Sequence, residues 1–116
     1  MQYLLLIYTN ESEVAKLDQA AIDTIVGDYR AFRQSIIQGG QFKGGERLRP
    51  VSSASTVRVR DGKTVITDGP FAETREQLGG YYMVEARNLD EATAIAARVP
   101  SAKSGSIEVR PIWPMA

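Results

Sequence analysis

Cysteine and histidine are both absent from this chain of 116 residues. Without cysteine there is no disulfide and no thiolate nucleophile. Without histidine there is no imidazole base, and most zinc and haem ligation is lost with it. Chemistry is left to Asp, Glu, Lys, Arg, Tyr, Ser and Thr. Neither Gly44-Gly45 nor Gly79-Gly80 sits in a phosphate-loop context, and there is no paired-carboxylate metal motif, so no metal and no cofactor is expected. An excess of charge is missing too. Fourteen basic residues balance fourteen acidic ones, so nucleic acid is not an expected partner. No basic amphipathic helix offers itself to a membrane surface. The opening apolar run Tyr3–Tyr8 is too short to span a bilayer and lacks the pattern of a signal peptide. A soluble, cytoplasmic chain beginning at residue 1 is the expectation.

What is present is the composition of one ordinary globular domain, residues 1–116, with 43% hydrophobic and 24% charged residues. Residues 2–8 (QYLLLIY) are apolar on both faces and read as a central strand. Asn10–Glu13 reads as a polar turn. Asp18 is placed to cap a helix carrying Ile22, Ile25, Val26, Tyr29, Phe32, Ile36 and Ile37 at helical spacing. Gly39-Gly40 ends it where a positive φ is needed. Residues 41–55 suggest a short irregular strand around Gly44-Gly45 and then a loop after Pro50. The segment TVRVR-DG-KTVIT is two strands about Asp61-Gly62, the pair a type I′ turn favours. Pairing outward from it sets Val59 opposite Thr64, Val57 opposite Ile66 and Arg58 opposite Val65. One face of the hairpin is then mostly apolar. Gly79-Gly80 leads into a further strand, YYMVEA. Asn88 with Glu91 forms a capping box for a helix over Leu89–Val99, which Pro100 stops. Residues 106–112 alternate as a half-buried last strand.

This order, β-α-β-(hairpin)-β-α-β, predicts a ferredoxin-like α+β fold with both helices on one face of an antiparallel sheet. The other face is left without cover from this chain, and two strands are apolar on both sides. Leu4, Leu6 and Tyr8 alternate with Tyr3, Leu5 and Ile7 in the first, and Tyr81 and Met83 with Tyr82 and Val84 in the strand at 81–86. A wide apolar patch is then exposed whichever face is open. Soluble monomers rarely expose such a patch, so a homodimer packed sheet to sheet is expected.

Asp68-Gly-Pro-Phe is the most distinctive run. Gly frees the backbone, Pro fixes φ, and Phe71 is expected to anchor the loop by burial. Asp68 is then either a turn residue bonded to its own backbone or a carboxylate held at a pocket mouth as a general acid or base. Glu73, Arg75 and Glu76 follow it, as lining of the same mouth or as a solvated loop. If Ile107 and Val109 meet the helices, Glu108 and Arg110 face the dimer cavity, with Glu85 beside them. There they form a structural pair or a site for an anion. Tyr82, with Tyr81, brings a phenol that binds a substrate or packs in the core.

Across TDGPFAETREQLGGYYMVEA, and on through LDEATAIAARVP and GSIEVRPI, the sequence resembles the DGPF-domain proteins of the YCII-related family. The resemblance spans essentially the whole chain. It implies a dimeric α+β barrel with a cleft between the sheets of two subunits. It also implies a small-molecule-binding dimer, with a cofactor-independent lyase or isomerase reaction driven by a carboxylate as one role. A non-catalytic ligand-binding or protein-interaction module linked to sigma-factor regulation is the alternative. Relatives outside this branch are associated with a His–Asp pair, which a chain without histidine does not share. Only Asp68 and its neighbours match by motif.

Overall fold

A computed structural model describes residues 1–115 of the chain. The apolar opening forms β1 (Gln2–Thr9), in which Tyr3, Leu5 and Ile7 are buried and their neighbours less so. The alternation of a strand thus separates two unequal faces. Asn10 begins a helical turn instead of the expected polar turn. Its side chain accepts from the Glu13 N–H and caps α1 (Glu11–Val14). Asp18 caps α2 (Gln19–Gln38) in the same way, through the Ala21 N–H at 2.9 Å. The helix ends at Gly39, and Gly40 takes the positive φ of 75°. Only Phe32 and Ile36 of α2 are buried, so its C-terminal half does the packing.

The stretch 41–55 forms β2 (Phe42–Arg47) and a short 3₁₀ turn over Val51–Ser53. The hairpin follows as β3 (Ser55–Arg60) and β4 (Lys63–Asp68). Its register is the one the turn residues predict, with Val59 opposite Thr64, Val57 opposite Ile66 and Arg60 opposite Lys63. Asp61 and Gly62 both have positive φ, 52° and 73°, as a type I′ turn requires. β5 (Gln77–Glu85) begins four residues before the expected YYMVEA run. Gly79-Gly80 therefore lies inside the strand. A Cβ on Gly80 would come 2.9 Å from the Glu46 carbonyl oxygen, so the glycine lets β2 approach closely. Asn88 caps α3 (Leu89–Ala97), and Pro100 opens a 3₁₀ turn before β6 (Ser106–Pro111).

The main sheet has the order β2-β5-β1-β6, with every pair of neighbours antiparallel. Both longer helices pack on one face, where Leu5, Phe32, Ile36, Val84, Ile95 and Val99 make the core. The described residues form an α+β molecule with an antiparallel sheet and three α-helices, compatible with a ferredoxin-like arrangement. The hairpin forms a second, two-stranded sheet. Its apolar side is largely uncovered by the described residues: Val57, Val59 and Ile66 are 60%, 60% and 67% exposed.

Candidate functional site

The face of the main sheet opposite the helices carries the half-buried residues of β1 and β5, which alternate with the buried ones. The pairing register says which residues share it, because directly opposed residues lie on one side of a sheet. Leu4 pairs with Met83 and Arg110, Leu6 with Tyr81 and Glu108, and Gln2 with Glu85. On the edge strand Glu46 pairs with Tyr81, and Gly44 with Met83. The open face thus has an apolar centre of Leu4, Leu6, Tyr81 and Met83. Glu46, Glu85, Glu108 and Arg110 surround it.

Ile107 and Val109 pack against the helix-side core, so Glu108 and Arg110 stand on the open side as expected. They form an ion pair through Arg110 Nη2 and Glu108 Oε2. Both side chains remain partly exposed, so the pair adds little to stability. A guanidinium has five N–H donors, more than one carboxylate takes up. Arg110 therefore retains capacity for a second anion. Glu85 Oε1 accepts from the N-terminal ammonium at 2.6 Å, with both groups partly exposed.

Tyr82 belongs elsewhere. It is 8% exposed on the helix face, with the Phe32 ring edge-on at 5.2 Å and Phe42 at 6.4 Å. Burial, more than any neighbouring charge, pushes its phenol above the ordinary value of 10.0. The structure thus sets Tyr82 in the core, on the other side of the sheet from Glu108 and Arg110.

Asp68 closes β4 and is exposed, opposite Ser55. The backbone after it is well tied. The Gly69 N–H donates to the Ala54 carbonyl at 2.7 Å, the Thr56 hydroxyl donates to the Gly69 carbonyl at 2.8 Å, and Arg58 donates to the Phe71 carbonyl at 3.3 Å. The expectation for Phe71 is corrected: the ring is 77% exposed and anchors nothing within the chain. The loop is held by backbone-directed hydrogen bonds instead. Glu73 is exposed beyond it. Glu76 turns back to the main sheet, where its carboxylate accepts from the Ser106 hydroxyl at 2.7 Å. Within one chain, then, Glu85, Glu108 and Arg110 share the open face. Asp68 and Phe71 belong to the hairpin sheet.

Two acidic residues with a place in this geometry were not singled out from the sequence. Glu46 reaches the open face because the pairing shifts between Phe42 and Gly44, which reverses the alternation of β2. The adjacent glycines are the signal that such a shift leaves. Glu11 accepts from the Val51 N–H at 3.2 and 3.3 Å through its two oxygens, and so pins the base of the hairpin. Among the described residues no three Asp or Glu side chains gather as a metal site would require, and no helix is long and apolar enough to cross a membrane.

The profile described as the YCII-related domain matches residues 1–116 of the chain. An uncharacterised protein of Rhizobium meliloti (strain 1021) is 36% identical over 114 residues, which is 97% of this chain and 92% of that protein.

Proposed function

The chain belongs to the YCII-related family, and from that premise we propose that it acts as a two-fold dimer binding a small organic anion between two open sheet faces. The observation that carries this reading is the composition of the open face. An apolar centre of Leu4, Leu6, Tyr81 and Met83 is bordered by the Glu108–Arg110 pair. A soluble chain gains by covering such a centre, and a two-fold partner covers it with its own copy. Ligand sites combine this kind of apolar wall with a few convergent polar groups. Arg110 then holds the anionic end of the ligand, while Leu6 and Tyr81 meet its apolar body. Asp68, at the end of a rigidly bonded hairpin, is the candidate proton carrier for a lyase or isomerase reaction without a cofactor.

The test is a thermal-shift screen of small carboxylates and phosphate esters, followed by calorimetric titration of each hit. Hits should raise the unfolding midpoint of the wild type, and Arg110→Ala should weaken their binding about tenfold or more. Equal affinity in the Arg110→Ala dimer would overturn the assignment of Arg110.

A second reading has one observation in its favour. Ile22, Ile25 and Val26 are exposed along the N-terminal half of α2, which the core does not use. A surface of that kind suits a protein-docking module. Capture of a helical peptide by wild type but not by Ile25→Asp, with no small-molecule hits in the screen, would favour it.

A further inference from the structure

The β3–β4 hairpin is an isolated element with an exposed apolar face, and two-stranded hairpins on their own are marginal in water. Yet its base is firmly fixed. Leu48 N–H donates to the Gly79 carbonyl at 2.9 Å, and Glu11 accepts from the Val51 N–H, so the segment entering β3 is tied to the main body. Beyond that root, β3 and β4 pair with each other and with no strand of the main sheet. Its apolar side, Val57, Val59 and Ile66, needs cover that this chain does not give.

We infer that the hairpin is an arm exchanged between subunits: in the two-fold dimer each arm lays its Val57–Val59–Ile66 face on the partner, at the margin of the partner's open sheet, and carries Asp68 there. The inference rests on the dimer proposed above. Area supports it. Four strands about 4.8 Å apart and about 20 Å long give a sheet face of only about 400 Å² in plan. Two such faces in contact bury about 800 Å², the size of a crystal contact more than of a stable dimer. Each arm adds about 200 Å² of its own and covers as much on the partner. Two arms bring the total to about 1,600 Å², the standard size of a specific interface. The numbers of parts also match, because each copy has one arm and one open face, and a two-fold axis satisfies both at once. A site that uses Asp68 together with Glu108 and Arg110 is then built from two chains.

Sedimentation equilibrium of wild type, Val57→Asp/Ile66→Asp and Leu6→Asp tests this. Wild type is expected to be dimeric at micromolar concentration. The arm variant should raise the dimer dissociation constant about a hundredfold or more, with an unchanged far-ultraviolet circular dichroism spectrum. A monomeric wild type would overturn the dimer and the arm together. Dissociation by Leu6→Asp with no change in the arm variant would overturn the arm alone. Hydrogen exchange on the wild type covers the case of a misfolded arm variant. The amides of β3 and β4 should be protected in the dimer and lose protection on dilution. Exchange as fast as in an isolated hairpin would contradict the exchange. Asp68→Cys and Arg110→Cys chains, mixed and treated with a short bis-maleimide, should give an interchain product joining the two. Its absence from a sample that remains dimeric would remove Asp68 from the partner's site.

Discussion

Single residues set the sharpest local constraints. Gly105 sits so close to the Tyr8 carbonyl oxygen that any Cβ would collide with backbone. Gly105→Ala must therefore displace β1 or the start of β6, and a loss of about 1–3 kcal/mol in unfolding free energy is expected from denaturant titration. Tyr82 makes a prediction about alkaline pH. Its phenol titrates above 10.0 in the folded chain because burial disfavours the phenolate. Below pH 10.0 the group is protonated in both states and its contribution to stability is complete. As the pH rises past 10.0 the unfolded chain ionises first, and the contribution is lost on the way to the folded value. Tyr82→Phe removes this ionisation, so its alkaline unfolding midpoint should lie at higher pH than that of wild type. An unshifted midpoint would mean that the phenol is not desolvated. For Asp68, exposed on its strand end, Asp68→Asn should leave folding and self-association unchanged. If a hit from the screen is turned over, the same variant should lower turnover about a hundredfold or more, since Asn cannot exchange a proton. Full turnover would remove Asp68 from catalysis.

Among the elements, the hairpin is the one whose stability separates from the rest. Gly62 has φ 73°, a conformation a β-branched residue resists. Gly62→Val should cost about 1–3 kcal/mol. Because β3 and β4 pair only with each other, the cost should appear as faster hydrogen exchange confined to those two strands. Protection that falls evenly over β1 and β5 as well would show that the hairpin unfolds with the core. α2 has a similar division. Phe32 and Ile36 hold its C-terminal half in the core, whereas Ile22, Ile25 and Val26 remain exposed at the other end.

The whole molecule is flat, with extents of 48 × 47 × 18 Å and a radius of gyration of 16.2 Å. A compact chain of this length would have a radius of about 13 Å. The excess reflects one layer of sheet, one layer of helix and an arm projecting from them. Such a shape exposes much surface for its core, and a chain of zero net charge sets no net repulsion against the two-fold dimer proposed above. Light scattering at micromolar concentration should therefore give twice the chain mass of 12.7 kDa. A mass of one chain would mean that the open face is stable in water.

The sequence by itself determined the local features. Asp18 and Asn88 as helix caps, the Asp61-Gly62 turn and the hairpin register all depend on neighbouring residues and fixed backbone geometry. It also determined that Glu108 and Arg110 lie opposite Ile107 and Val109, because a strand alternates. Tertiary structure alone decided the rest. The shift between Phe42 and Gly44 brought Glu46 to the open face, and no local pattern sets which strand β2 will meet or where. Packing between Phe32 and Phe42 took Tyr82 into the core, because only the assembled helix layer shows which of two apolar faces is covered. The exposure of Phe71 came from the placement of the hairpin, which is set by the bonds of Glu11 to Val51 and Leu48 to Gly79 across distant parts of the chain. An apolar side chain signals that burial is favourable, but what buries it depends on the surfaces that folding and association bring to it.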